Sequence, residues 1–135
     1  MNSALAAYRT IGAHGGVQDA DPHRLVQMLF HGALDRVHAA RGCAERGDLV
    51  GKAAQVTRAL NAVGGLQGAV DPATGELAGR LDALYDYLGM RLLQFNARND
   101  MAILDEVATL LRQISDAWDQ AADEIRRARP GVAGR

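Results

Sequence analysis

Residues 99–125 read NDMAILDEVATLLRQISDAWDQAADEI, and the fold class follows from how that stretch is spaced. Leu104, Val107, Leu111, Ile114, Trp118, Ala121 and Ile125 recur at steps of three and four, the period of one helical face. Asp105, Glu106, Arg112, Asp116 and Asp123 fall mostly on the other side. A strand would need alternation by two, which is absent. Asn99 and Asp100 offer oxygens to the orphan N–H groups of a helix start. At the far end Arg126, Arg127 and Arg129 complement the helix dipole before Pro130 and Gly131 stop the chain. A helix with one apolar stripe must bury it against partners, so the rest of the chain has to supply them.

Three more helices can be read from punctuation and period. Asp71-Pro72 is a start signal, with Thr74 as a second possible cap, and predicts a helix from about Pro72 to Ala97 along the seam Leu77, Leu81, Leu84, Leu88 and Leu92. Arg46, Gly47 and Asp48 make a short antiparallel turn into a helix from Leu49 to about Gln67, with Leu49, Ala53, Val56, Leu60 and Val63 as its seam and Gly64, Gly65 and Gly68 as its frayed end. Asp21-Pro22 opens the first helix, which runs to about Glu45. The expectation is an all-α, antiparallel, up-and-down four-helix bundle.

Two helices carry more apolar surface than a narrow bundle uses. In the first, Leu25, Val26, Met28, Leu29, Phe30, Ala33, Leu34 and Val37 cover about 240° of the helical wheel. The third adds Tyr85, Tyr87, Met90, Leu93 and Phe95 to its seam. Tyr85 and Tyr87 point to different sides, so one suits the core while the other faces a groove. Trp118, on the fourth seam, is expected in the core. Either the N-terminal segment or a partner covers the surplus.

Residues 1–20 form a separate, almost uncharged, Gly- and Ala-rich stretch set off by His14, Gly15 and Gly16. Leu5, Tyr8 and Ile11 fall at i, i+3 and i+6, on one side of a short helical turn that would lie against the bundle as a displaceable flap. The organisation expected is a flexible N-terminal cap segment over 1–20, the bundle over 21–129 and a disordered C-terminal tail over 130–135.

Composition narrows the function. The chain has 135 residues, 48% of them apolar, enough for one domain with a real core. Fifteen Lys and Arg against sixteen Asp and Glu give a net charge of −1, without the basic excess of a dedicated nucleic-acid binder. A single cysteine, Cys43, forms no intramolecular disulfide and suits the cytoplasm. No apolar run reaches signal-peptide or membrane-span length, so the chain reads as soluble and unprocessed, with no membrane insertion.

Candidate chemistry is sparse. His31, Asp35 and His38 share one helix face at i, i+4 and i+7, but at the centre of a polar arc, and read as a solvated stripe instead of a metal site. No Glu-x-x-His pair, phosphate loop or nucleophile elbow is present. Asn96, Asn99 and Asp100 read as caps and turn residues. The sharper rival is His38, followed by Ala39, Ala40, Arg41 and Gly42, which is similar to the surroundings of the histidine in phosphotransfer bundles, with Arg in place of Lys. A purely structural bundle is the third class.

Several motifs together resemble the FliS family of flagellin export chaperones. Asp21 to Leu34, DPHRLVQMLFHGAL, is similar to the family's first-helix signature, and Gly47-Asp48 to its turn. Leu84 to Tyr87 (LYDY), Arg91-Leu92, Asn96, Asn99-Asp100, Glu106-Val107, Leu110 and Ala117-Trp118 follow its second signature in order. The resemblance implies a non-enzymatic, cofactor-free cytoplasmic chaperone. It would bind the disordered C-terminal segment of flagellin 1:1, prevent premature polymerisation and deliver the client to export gate components of the flagellar type III secretion apparatus. It also implies that Leu5 and Tyr8 belong to a helical cap. The residues expected to form cap and groove are Leu5, Tyr8, Ile11, Leu29, Phe30, Tyr85, Tyr87 and Leu93, and the surplus apolar surface leaves room for a weak homodimer of the free protein. His31 where the family carries Asp, Gly89 where it carries a bulky residue, and Arg36 inside the apolar arc depart from the pattern.

Overall fold

The computed structural model describes residues 21–128. The flap expected over Leu5, Tyr8 and Ile11 and the tail expected over 130–135 lie outside these residues. Among them the chain forms four α-helices and no strand: α1 (Pro22–Glu45), α2 (Leu49–Gly68), α3 (Glu76–Arg98) and α4 (Met101–Arg127). Each helix packs on two neighbours in a closed ring, α1 on α2, α2 on α3, α3 on α4 and α4 on α1. With connections this short, that order makes an up-and-down bundle.

Side-chain caps fix three of the four helix starts. The Asp21 carboxylate accepts the Arg24 N–H at 2.8 Å with Pro22 behind it, Asp48 accepts the Gly51 N–H at 2.9 Å, and Asp100 accepts the Ala102 N–H at 3.0 Å. Gly47 makes the α1–α2 turn at φ +73°, a left-handed conformation that costs glycine nothing. Asn99 ends α3 in the left-handed region at φ 56°, its N–H donating to the Phe95 carbonyl at 2.8 Å.

Two boundaries differ from the sequence reading. Asp71-Pro72 opens only a 3-10 turn (Pro72–Thr74), and α3 begins at Glu76. The Thr74 hydroxyl donates back to the Asp71 carbonyl at 2.7 Å and so caps nothing, while Gly75 at φ 155° breaks the backbone before the helix restarts. Gly64, Gly65 and Gly68 are not frayed. They remain helical because Val63 and Leu66 are buried and hold the last turn against the core.

The core is built from Phe30 and Val37 of α1, Val56, Ala59 and Leu66 of α2, Leu88, Leu92 and Phe95 of α3, and Ile103, Leu104, Val107 and Leu111 of α4. The broad apolar arc of α1 is taken up at its edges, where Leu25, Leu29 and Leu34 are half-buried against the core and Met28 stays exposed. Leu49 and Leu77, counted as seam residues from their spacing, are exposed, because each sits in the first turn of its helix.

The largest departure from apolar patterning is Lys52, 3% exposed, at a seam position of α2. Its ammonium donates to the Asn96 carbonyl at 2.8 Å and to Asn99 Oδ1 at 2.5 Å, and it lies 5.7 Å from the centre of the Phe95 ring. One cation thus ties α2 to the end of α3 and to the turn into α4, with charge-assisted bonds offsetting its desolvation. Lys52→Met, which keeps the stem and removes the charge, is expected to destabilise the protein by about 1–3 kcal/mol in urea unfolding. Asn99→Gly, which keeps the left-handed turn, should cost less, and the double variant should fall short of additivity.

Candidate functional site

The four helices do not close evenly at their two ends. The first two turns of α1 meet α4 at Trp118 and at Asp119, the latter through Gln27 Nε2 at 3.0 Å and His23 Nε2 at 3.3 Å, so α4 continues past the start of α1. The late start of α3 and the small side chains Ala69, Ala117 and Ala121 open the same end further. The result is a groove of about 410 Å³. Val26 and Phe30 of α1 and Leu66 of α2 form its inner part, Leu81 and Tyr85 of α3 one wall, and Ile114 and Trp118 of α4 the other. Among the described residues no charged side chain lines it. Leu77 stands at its rim, 73% exposed. Such a surface offers apolar burial and shape.

Trp118 is not the core residue its spacing suggests. It is 37% exposed, because α1 offers only its first turn at that level. Its ring stacks on His23 at 5.2 Å between centroids and 7° between planes, and its Nε1–H donates to the His23 carbonyl at 3.4 Å.

Of the residues expected to form the site, the groove brings together Phe30 and Tyr85, both buried. Leu29 is half-buried at the edge of the core, outside the groove lining. Leu93, 58% exposed, lies on the outer surface of α3. Tyr87 faces α4, where its hydroxyl donates to Glu106 Oε2 at 2.6 Å. Leu5, Tyr8 and Ile11 fall outside the described residues. Leu77, Leu81, Ile114 and Trp118 were counted as seam residues. What marked them as rim was their place at the open ends of α3 and α4, which only the relative stagger of the helices reveals.

The polar candidates stay dispersed. His31, Asp35 and His38 are all exposed, and among the described residues no group of three or more His, Cys, Asp or Glu side chains is placed to hold a metal. Arg41, the cation that would steady a phosphoryl group on His38, pairs with Asp105 of α4. Arg36, the charge inside the apolar arc of α1, donates to Gln55 Oε1 of α2 at 3.2 Å.

The family model for flagellar protein FliS matches residues 4–125. The chain belongs to the FliS family. It is 42% identical over 117 residues to the flagellar secretion chaperone FliSB of Pseudomonas aeruginosa, covering 86% of this chain and 93% of that one. It is 41% identical to the flagellar secretion chaperone FliS of Salmonella typhimurium, over 87% and 89% of the two chains, and 32% identical to that of Vibrio cholerae, over 99% of both. Family membership brings a chaperone role in flagellar secretion, and the four-helix bundle agrees with it.

Many residues that carry the FliS resemblance meet in space away from the groove. Tyr87, Arg91 and Glu106 make one α3–α4 network, with Arg91 Nε donating to Glu106 Oε1 at 2.7 Å and Arg91 Nη1 to Gln94 Oε1 at 2.6 Å. Asn96 and Asn99 meet at Lys52. Trp118, also in the quoted signature, lines the groove and bonds to the first turn of α1.

The network sets a pH window. The hydrogen bond from Tyr87, followed by that from Arg91, holds the Glu106 carboxyl below its usual range, and the same bond to Glu106 raises the Tyr87 phenol above its own. A depressed carboxyl contributes stability that is present above about pH 4.3, its unfolded value, and is lost as pH falls through the folded value. A raised phenol contributes stability that is present below about pH 10 and is lost as pH rises through its folded value. Glu106→Gln should therefore lower the thermal midpoint at neutral pH and flatten both limbs of the midpoint-against-pH curve measured by circular dichroism. Equal curves for the two proteins would exclude this coupling.

Proposed function

We propose that this protein is a cytoplasmic export chaperone for flagellin. It binds the disordered C-terminal segment of the client 1:1, keeps it from polymerising and delivers it to gate components of the flagellar type III secretion apparatus. The observation that carries this reading is the open, uncharged groove at one end of a FliS-family bundle. An amphipathic helix lays its apolar face into a groove of that kind.

Size indicates how the client is held. A groove of about 410 Å³ takes a few large side chains, not a whole segment. Ordering a disordered client costs on the order of 2–5 kcal/mol, so binding needs further apolar contact. Exposed Met90 and Leu93 on α3 offer it, and a client running from the groove along the bundle reaches them. The Leu5, Tyr8 and Ile11 flap covers the groove in the free state and yields it to the client. Pro22, at the start of α1, itself lines the groove.

Calorimetry with a peptide covering the C-terminal segment of flagellin is expected to give 1:1 binding with a negative heat-capacity change, and no binding to the N-terminal segment. Leu77→Glu, which places a charge at the rim on an already exposed residue, should weaken binding tenfold or more, on the scale of about 1.4 kcal/mol per decade, with far-UV helicity unchanged. Replacing Leu5 and Tyr8 by Ala should change the affinity and leave helicity intact. Unaltered affinity would remove the flap from the mechanism.

A further inference from the structure

We propose that Trp118 is a movable partition across the groove, held shut by its stack on His23. The inference rests on the groove being the client's site and adds to it a switch within the chaperone.

The indole divides two depressions. On one side is the groove of about 410 Å³, and on the other a second hollow of about 510 Å³ formed with Asp21, His23, Ala122, Ile125 and Arg126. Both are bounded by Pro22, Trp118 and Ala121, so the indole stands between them. Among its neighbours on α4, Ala117, Ala121 and Ala122 carry short side chains that leave the ring room to turn about its side-chain bonds on the side away from Ile114. What holds it is local to the first turn of α1. The His23 ring lies parallel at 5.2 Å, and the Nε1–H bond to the His23 carbonyl is long at 3.4 Å. His23 is itself oriented by Asp119 at 3.3 Å, an oxygen that Gln27 also engages.

When the indole turns away from His23, the two hollows join into one trough along α4. From Ile114 to Ile125 that trough is about 16 Å long at the helical rise, room for roughly three turns of a client helix, where the closed groove admits only side chains. The client selects the open form, and the stack sets how rarely it is populated. An aromatic pair of this kind biases a two-state equilibrium by roughly two- to tenfold.

Trp118 is the only tryptophan in the chain, so its emission reports this ring alone. Time-resolved fluorescence of the free full-length protein should resolve two lifetimes, a short one from the stacked ring and a longer one. His23→Ala should remove the short component. His23→Gln, which keeps a polar contact to Asp119 without the imidazole, should do the same. Titrating the wild type with the flagellin C-terminal peptide should move the emission toward the longer lifetime, and His23→Ala should bind that peptide roughly two- to tenfold tighter by calorimetry. A single lifetime insensitive to both His23 substitutions would overturn the partition, as would peptide binding that leaves Trp118 emission unaltered. Failure of the peptide to bind would sink the chaperone reading instead, and the lifetimes of the free protein and its His23 variants would still decide whether the ring moves.

Discussion

A buried ammonium group holds the closed end of this bundle. Lys52 comes from α2, yet its partners are the Asn96 carbonyl in the last turn of α3 and the side chain of Asn99, the residue on which the chain turns into α4. Three helices are therefore registered against one another at a single point. Charge-assisted bonds of this kind are directional where apolar packing is not, so they fix the stagger of the helices as well as their contact. Once the stagger is fixed at that end, unequal helix lengths and starts must appear at the other. There α3 begins late and α4 runs past the start of α1, and the apolar surface that would have been core becomes a groove.

The fold was legible because three of the four helix starts carry an Asp that serves as a cap, and because the seams keep helical spacing through the middle of the bundle. Val56, Leu88, Leu92, Leu104 and Leu111 are all where the period put them. Legibility failed at the ends. Periodicity cannot tell a seam residue facing a partner helix from one facing a gap, so Leu77 and Trp118 were counted with the core. Asp-Pro marks the start of a turn without saying whether that turn continues as α-helix, and here Thr74 and Gly75 end it. Lys52 was invisible for a different reason. A lysine at a seam position looks like an interruption until the carbonyl and amide that receive it are brought alongside from more than forty residues away.

The same limit applies to the site. Phe30 and Tyr85, expected from surplus apolar surface on a helical wheel, do line the groove. Tyr87 carried the same signal, yet its hydroxyl is committed to Glu106 across α3 and α4. An aromatic ring with a polar tip serves either purpose, and only the position of the acceptor decides. Much of the resemblance to FliS thus lies in residues that brace α3 against α4 and the turn between them, and a bundle that presents a groove needs such bracing on the sides that the groove does not open.

The antiparallel arrangement has a consequence for the groove's electric field. At the open end two helices begin, α1 and α3, and two finish, α2 and α4. Their macrodipoles point in alternating directions and largely cancel there. With a net charge of −1 and no charged side chain among the described residues of the lining, the groove itself supplies no charge to steer a ligand. A segment docking there would be sorted by shape and apolarity after contact, and its encounter would change little with the salt content of the surrounding solution.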